Sequence, residues 1–195
     1  GLPPLLPARP GGNRNRDRGV WALWWPDLLT ALNGASGSDM ESSRPATIGD
    51  RPLLGELAGR ARMEMGGKRG GDVLDRLDVD RDLPVASVER LLAHEGGVVV
   101  VGCIDDTPVG FGAMLVEVAA DGSPHAVVEQ IYVEPGARAV GVGGSMIELL
   151  IAEATALGAV GIEALALPGD RATKNFFEAQ GMVARAIIVH RRLDR

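Results

Sequence analysis

A cluster of glycines between residues 138 and 145 is the feature of this sequence best suited to chemistry. Gly141, Gly143 and Gly144 follow Arg138 and directly precede an apolar stretch with helical spacing. Glycine lets a backbone approach a ligand closely, and the first amides of a helix have no partner inside it. With the positive end of the helix dipole behind them, such amides form a site for an anion such as a pyrophosphate. The alternative interpretation is an ordinary tight connection between a strand and a helix.

Two common phosphate-binding motifs do not fit this cluster. A Walker loop requires lysine and then serine or threonine, whereas Val142 and Gly143 follow Gly141 here. The dinucleotide fingerprint requires a third glycine where this chain has Met146, and it belongs to a parallel unit rather than to antiparallel hairpins. The sequence therefore argues against a nucleoside triphosphatase and against a dinucleotide site of the Rossmann type.

The elements that position the cluster are predicted from hydrophobic periodicity and turn residues. The predicted extended segments are Pro45–Ile48, Val98–Ile104, Val109–Val118, His125–Val133, Val160–Leu167 and Met182–His190. The predicted helices are Asp50–Met65, Asp82–Glu95, one that follows the glycine cluster and stops near Gly158, and Ala172–Ala179. Turn residues at Asp105–Pro108 predict an antiparallel hairpin, and Gly66–Gly71 is predicted as a flexible loop. The order predicts a mixed α/β fold with an antiparallel start.

Composition excludes several classes of protein. The chain has 195 residues, 46% of them hydrophobic and 24% charged, which suits one globular domain. The net charge of −6 disfavours nucleic-acid binding. A single cysteine, Cys103, allows no intrachain disulfide, and the three histidines fall at no metal-ligand spacing. We therefore expect no metal site. No apolar run approaches the ~20 residues of a membrane span, so we expect a cytoplasmic protein.

The first 39 residues differ from the rest, so we predict a peripheral leader at 1–39 and the domain at 40–195. Residues 2–18 are rich in proline, glycine and arginine, and all three tryptophans, Trp21, Trp24 and Trp25, lie in the apolar stretch that follows. That stretch could form a helix of about three turns. It could anchor a partner or a membrane surface, dock on its own domain or a dimer mate, or precede a native start at Met40.

The pattern arginine-x-x-glycine-x-glycine that begins at Arg138 resembles the acetyl-CoA-binding motif of the GNAT superfamily of N-acetyltransferases. The similarity extends over Val128–Ser145, and it continues upstream at Arg44–Thr47 and downstream at Phe176–Met182. In all, it covers about residues 42–193. It implies a strongly twisted, mostly antiparallel sheet with flanking helices, whose fourth and fifth strands splay apart to admit the pantetheine arm.

The resemblance implies that acetyl-CoA is a co-substrate and that its acetyl group passes to a primary amine of a small molecule or peptide. The amine would attack directly in a ternary complex. Backbone amides of the glycine-rich turn would hold the pyrophosphate, and β-strand backbone groups of Ile131 and Val133 would pair with the pantetheine amides. The residues implied in cofactor binding are Ile131, Tyr132, Val133, Arg138, Ala139, Val140, Gly141, Val142, Gly143, Gly144, Ser145, Asp170, Lys174 and Phe177.

Catalysis is less completely matched to the family. Glu129 occupies a position where many relatives have an acidic general base, although a glutamate paired with an arginine is the alternative. Phe177 stands where relatives often have a tyrosine acid, and Asp170 stands where they commonly have asparagine. Arg171 and Lys174 could reach the phosphates or belong to a solvated helix face. A non-catalytic acyl-CoA-binding or interaction module is therefore the second functional hypothesis, and a homodimer is left open.

Overall fold

The computed structural model describes residues 41–71, 84–167, 169–187, 189, 191 and 193. The chain divides into two units, Gly1–Asp39 and Met40–Arg195, and every described residue belongs to the second. The predicted leader and its tryptophan-rich helix lie outside the described residues. The assignment of a leader and an acetyltransferase domain stays a prediction.

The described part of the second unit contains one sheet with helices on both faces. In chain order the strands are β1 (Glu41–Pro45), β2 (Gly97–Ile104), β3 (Thr107–Val118), β4 (Pro124–Val133) and β5 (Ile162–Ala164). The helices are α1 (Arg51–Gly66), α2 (Pro84–Ala93), α3 (Val142–Ala156) and α4 (Arg171–Ala179), with 3-10 turns at Ile48–Asp50 and Pro135–Ala137. The spatial order is β1-β2-β3-β4-β5. Only β4 and β5 pair in parallel, which confirms the predicted mixed, mostly antiparallel fold.

The hairpin between β2 and β3 shows how local sequence sets the register. Asp105 and Asp106 both have positive φ, at 45° and 62°. Two such residues form a type I′ turn, whose twist matches that of the flanking strands, and aspartate tolerates this conformation better than most residues. Ile104 therefore pairs with Thr107 across the turn, and the predicted hairpin is confirmed.

Successive side chains of each strand point to opposite faces of the sheet, so each face carries its own hydrophobic core. On the first face, α1 and α2 cover a cluster that includes Leu54, Leu91 and Phe111. On the second face, α3 and α4 cover a cluster that includes Met114 and Leu150. Helices thus pack on both faces of the sheet, and this packing fixes the position of the last strands relative to the start of α3.

A small residue in β2 lets α3 lie close to the sheet. A Cβ atom on Gly102 would come within 2.5 Å of a Val142 methyl group and 2.8 Å of the Met146 sulfur. Both side chains are completely or almost completely buried. Any larger residue at 102 would push the first turn of α3 outward, so Gly102 helps to fix where that turn stands.

Three predicted elements differ from the structure. The first strand is Glu41–Pro45 rather than Pro45–Ile48, because Thr47 and Asp50 form a capping box that turns the chain. The fifth strand spans three residues instead of Val160–Leu167, since only Ala126–Val128 of β4 pair with it. Residues 182–187 of the predicted last strand form no strand; Val183 and Ile187 are exposed, so they bury no sheet face.

An ion pair fixes the entry into α1. Arg44 donates to both carboxylate oxygens of Asp50, at 2.9 and 2.7 Å, and the Thr47 amide and hydroxyl donate to the same carboxylate at 2.7 and 2.8 Å. These contacts, with the Arg44 hydrogen bond the largest, hold the pKa of Asp50 well below its usual range. A lowered pKa stabilises the fold above the ordinary aspartate pKa, and this stabilisation is lost as the pH falls.

We expect Asp50→Asn to lower the free energy of unfolding by about 1 kcal/mol at pH 7, because asparagine keeps an acceptor but not the charge. The difference from wild type should shrink below about pH 4, where the unfolded aspartate takes up its proton. Urea unfolding between pH 3 and pH 7 measures it, with Glu163→Gln at an exposed carboxylate as the control. A difference independent of pH would contradict the electrostatic origin.

Candidate functional site

The sheet opens between its last two strands. Among the described residues, β5 pairs with β4 only at Ala126, Val127 and Val128, and β4 continues for five residues beyond that point. We call the resulting gap, between the end of β4 and the chain leading from β5 to α4, the wedge. Its presence confirms the predicted splaying of the fourth and fifth strands.

Backbone groups of β4 face the wedge at the two predicted positions. The amide of Glu134 donates to the carbonyl of Val109 in β3 at 2.8 Å. Successive residues of a strand turn their N–H and C=O groups to opposite sides, so Tyr132 also faces β3. Ile131 and Val133 therefore face the wedge, and a side-chain donor of Arg138 reaches the Val133 carbonyl at 2.8 Å.

A bulge brings Glu129 to the side of α2. Ala113 pairs with Gln130 and Met114 with Val128, which leaves Glu129 as the extra residue. Both oxygens of the Glu129 carboxylate accept from one terminal nitrogen of Arg90 in α2, at 3.0 and 2.8 Å. Glu129 thus lies two residues before Ile131, the first wedge-facing residue of β4. Its carboxylate already forms an ion pair with Arg90.

The turn before α3 combines two left-handed residues with an open helix end. Ala139 has φ 65° and Gly141 has φ 103°. This conformation strains alanine but not glycine, and strained non-glycine residues cluster at functional sites. The first hydrogen bond of the helix runs from the Ser145 amide to the Gly141 carbonyl at 3.0 Å. The amides of Val142, Gly143 and Gly144 precede it and have no acceptor within the helix. The Ser145 amide, by contrast, is already used.

A pocket of ≈ 560 Å³ joins the wedge to this turn. The predicted site residues that line it are Ile131, Tyr132, Val133, Arg138, Ala139, Gly141, Gly143, Gly144 and Asp170. Strand end, turn and helix start thus contribute to one cavity although the sequence separates them by up to 39 positions, from Ile131 to Asp170.

The other predicted residues lie outside the lining. Val142 and Phe177 are buried in the core beneath α3, and Val140 is exposed. The Ser145 hydroxyl donates to Ser43 of β1 at 2.9 Å, while Lys174 pairs with Glu178 on the same helix at 2.5 Å. Their roles toward a cofactor stay predictions, as does that of Glu129.

Eight of the 17 residues that line the pocket were not predicted from the sequence. The missed residues are Ala61, Glu64, Met65 and Lys68 of α1 and the turn after it, and Ala172, Thr173, Phe176 and Gln180 of α4 and its end. Residues three and four positions apart share a helix face, so the spacing from 172 to 180 was a usable signal. It favours Phe176 over Phe177 as the aromatic residue that faces the pocket.

Ion pairs surround the pocket. Arg138 donates to both oxygens of Glu64, at 3.1 and 2.6 Å, and Lys68 contacts Glu64 at 3.1 Å and Asp170 at 2.6 Å. The Arg138 contact, above all, lowers the pKa of Glu64. Burial raises the pKa of Asp170, but hydrogen bonds from Lys68 and Thr173 outweigh burial and hold it below its usual value. All four charges therefore persist at neutral pH.

Tyr132 is the phenol of the pocket wall. Its hydroxyl donates to Glu134 at 3.2 Å, and the Arg138 guanidinium carbon lies 5.6 Å from the centre of its ring. Burial and the neighbouring Glu134 raise the pKa of Tyr132, so the phenol keeps its proton at neutral pH.

The described residues contain neither a candidate metal-binding cluster nor a membrane-spanning helix. No group of three or more histidine, cysteine, aspartate or glutamate side chains among them could hold a metal ion. No helix in the described ranges is long and apolar enough to cross a bilayer.

Solved structures of similar fold include two acetyltransferases and one possible acetyltransferase. Aminoglycoside N-acetyltransferase AAC(6')-Iy, solved with CoA, is 18% identical with a TM-score of 0.61 and covers 79% of this chain and 95% of its own. Glucosamine-6-phosphate N-acetyltransferase from Arabidopsis thaliana is 18% identical with a TM-score of 0.56, and it covers 79% of this chain and 99% of its own. A possible acetyltransferase from Clostridium difficile 630 is 16% identical with a TM-score of 0.60, covering 80% and 98%. At 16–18% identity, these similarities show that this chain shares the fold of the three proteins.

The family is shown by the sequence itself. Among curated proteins, none matches the chain significantly. The family model described as the acetyltransferase (GNAT) family matches residues 71–182, which is more than half of the chain and includes β4, the glycine-rich turn and α3. With that match, the splayed sheet and the open helix end, the chain belongs to the GNAT family of acetyltransferases.

Proposed function

We propose that this protein is an acetyl-CoA-dependent N-acetyltransferase that acts on a primary amine of a small molecule or peptide. The observation that carries the proposal is the pocket in which wedge-facing backbone groups of Ile131 and Val133 lead to the open amides of α3. A strand edge pairs with an arm that carries amides, and a helix N-terminus suits a phosphate. Acetyl-CoA contains both groups in that order.

The chemistry requires a neutral amine next to the thioester. The amine nitrogen forms a bond to the acetyl carbon, the carbon–sulfur bond breaks, and the amine loses a proton to a base. We assign that base to Glu129, which lies in the same strand as the wedge-facing residues. The thiolate takes up a proton from solvent, and its reference pKa near 8.5 makes it a tolerable leaving group. No covalent intermediate on the protein is needed.

Two observations support the second candidate function, a non-catalytic acyl-CoA-binding module. Both oxygens of the Glu129 carboxylate contact Arg90. Phe177, which stands at the position of the usual acid, is buried in the core and has no proton to give. Either feature weakens acid–base chemistry while leaving the binding pocket intact.

The acceptor is proposed by chemical class only. The names of two solved relatives refer to amino sugars, glucosamine 6-phosphate and aminoglycosides, and the net charge of −6 suits a cationic acceptor. A cytoplasmic location stays a prediction from the sequence, and formation of a homodimer stays open.

The first prediction separates the two functions. Saturating acetyl-CoA should raise the melting temperature by about 5–10 °C, as expected for a ligand at roughly 100 times its Kd. Thiol release should follow with at least one member of a panel of amino sugars, aminoglycosides, polyamines and lysine peptides. Stabilisation without release on any amine supports the binding module, and no stabilisation contradicts both functions.

The second prediction concerns the turn. Alanine at position 141 must adopt a φ of 103° with its Cβ 3.0 Å from a Glu41 oxygen, so Gly141→Ala should cost about 2 kcal/mol of stability. It should also reduce the thermal shift caused by CoA, because the amides of the turn move. Gly136→Ala is the matched control, since a Cβ there meets nothing within 4 Å. A full CoA shift in the folded Gly141→Ala variant would exclude this turn as the phosphate site.

The third prediction tests the base. Glu129→Gln should lower kcat/KM at pH 7 by about 10²-fold and move its pH dependence upward, because the amine must then lose its proton unaided. Arg90→Met keeps the carboxylate and should keep the shape of the profile. The measurement is kcat/KM between pH 6 and pH 10 for both variants. If Glu129 is only the partner of Arg90, the two variants will share an unshifted pH profile.

A further inference from the structure

The wedge has two sides that no strand pairing joins. One side is the end of β4 with the turn that contains Arg138, and the other is the chain after β5 with Asp170 at the N-cap of α4. Pairing between the two strands stops at Val128. The end of β4 is held by β3 on its other side, so side-chain contacts that cross the gap are what can link its two sides directly.

The C-terminal turn of α1 and the loop after it contact both sides. Glu64 binds the Arg138 guanidinium with both oxygens, at 3.1 and 2.6 Å. Arg138 belongs to the β4 side of the wedge. Lys68 lies four positions later and binds Asp170 at 2.6 Å on the α4 side. Glu64 and Lys68 also contact each other at 3.1 Å. The four side chains thus form a continuous chain of alternating charge across the wedge.

The chain of charges is anchored firmly at the Asp170 end. The Asp170 side chain is only 5% exposed, and its oxygens also accept from the Thr173 amide at 3.1 Å and hydroxyl at 2.8 Å. Its position is therefore fixed by the first turn of α4. Lys68 is 28% exposed, which leaves the pair less screened than a fully exposed one.

We propose that Glu64 and Lys68 are positioning residues whose ion pairs to Arg138 and Asp170 brace the wedge at the width of the pantetheine arm. This inference rests on the proposed function and adds α1 to the site. The brace acts through distance and not through contact with the reacting atoms. Its loss lets the sides move apart, which weakens binding of the arm while the chemistry of the bound complex is retained.

Two other roles for Lys68 make different predictions. A direct phosphate contact would affect only ligands that carry phosphate. A purely structural role would lower stability and leave affinity unchanged. The charge balance favours the brace, because both cations of the pocket wall are already paired with its two carboxylates.

The experiment measures binding of CoA, and of pantetheine at millimolar concentration, to the full chain. The variants are Lys68→Met, Glu64→Gln and their combination, because these are the two residues to which the brace is assigned. Lys68→Arg tests rescue by a retained charge. Arg51→Met is the matched control, because Arg51 pairs α1 with Glu89 of α2 at 3.4 Å, away from the pocket. Titration calorimetry gives Kd for CoA, NMR titration gives Kd for pantetheine, and thiol release gives KM and kcat for acetyl-CoA.

Each single variant should weaken CoA and pantetheine by the same factor, about three- to tenfold, and raise KM with kcat nearly unchanged. The double variant should be no worse than either single one, because each substitution breaks the same chain of ion pairs. Lys68→Arg should restore most of the affinity, and Arg51→Met should change nothing.

Three results would overturn the brace. Loss of CoA affinity with unchanged pantetheine affinity identifies Lys68 as a phosphate contact, and reduced stability with unchanged affinity identifies a structural pair. Additive losses in the double variant show that the two residues act separately. If the wild-type chain itself binds no CoA, the proposed function fails and this inference fails with it, whereas normal wild-type binding with unaffected variants rejects the brace alone.

Discussion

The end of hydrogen bonding between β4 and β5 at Val128 is the constraint on which the rest of the site depends. Backbone N–H and C=O groups require partners, and beyond this point those of Ile131 and Val133 have no neighbouring strand; the Val133 carbonyl accepts from the Arg138 side chain instead. The fold thereby leaves a strand edge open inside the molecule, where a ligand can act as the missing strand.

The position of that open helix end follows from packing rather than from the ligand. Val142 and Met146 lie against Gly102 of β2, so the first turn of α3 is held by the core beneath it. The two left-handed residues Ala139 and Gly141 then turn the chain between two fixed elements, the end of β4 and the start of α3. The proposed anion site is a consequence of this connection.

Sequence reasoning predicted what depends on local pattern. The β2–β3 hairpin follows from Asp105 and Asp106, and α3 follows from its apolar spacing after the glycines. What it missed depends on contacts between distant residues: Glu64 and Arg138 are 74 positions apart, and Lys68 and Asp170 are 102 apart. Charged residues on a solvated helix face carry no periodic signal that identifies a partner. The length of β5 was missed for the same reason, because the divergence of β4 determines it.

Electrostatics explain how an acidic protein can hold an anionic ligand. The chain carries a net charge of −6, and in the pocket wall Glu64 and Asp170 are balanced by Lys68 and Arg138. Side chains therefore supply no surplus positive charge, and attraction of a phosphate is left to the open amides and the dipole of α3. Fixed dipoles of this kind need no counter-charge when the ligand leaves. The paired side chains can then set the width of the wedge, and α1 belongs to the site because it carries Glu64, one of these side chains.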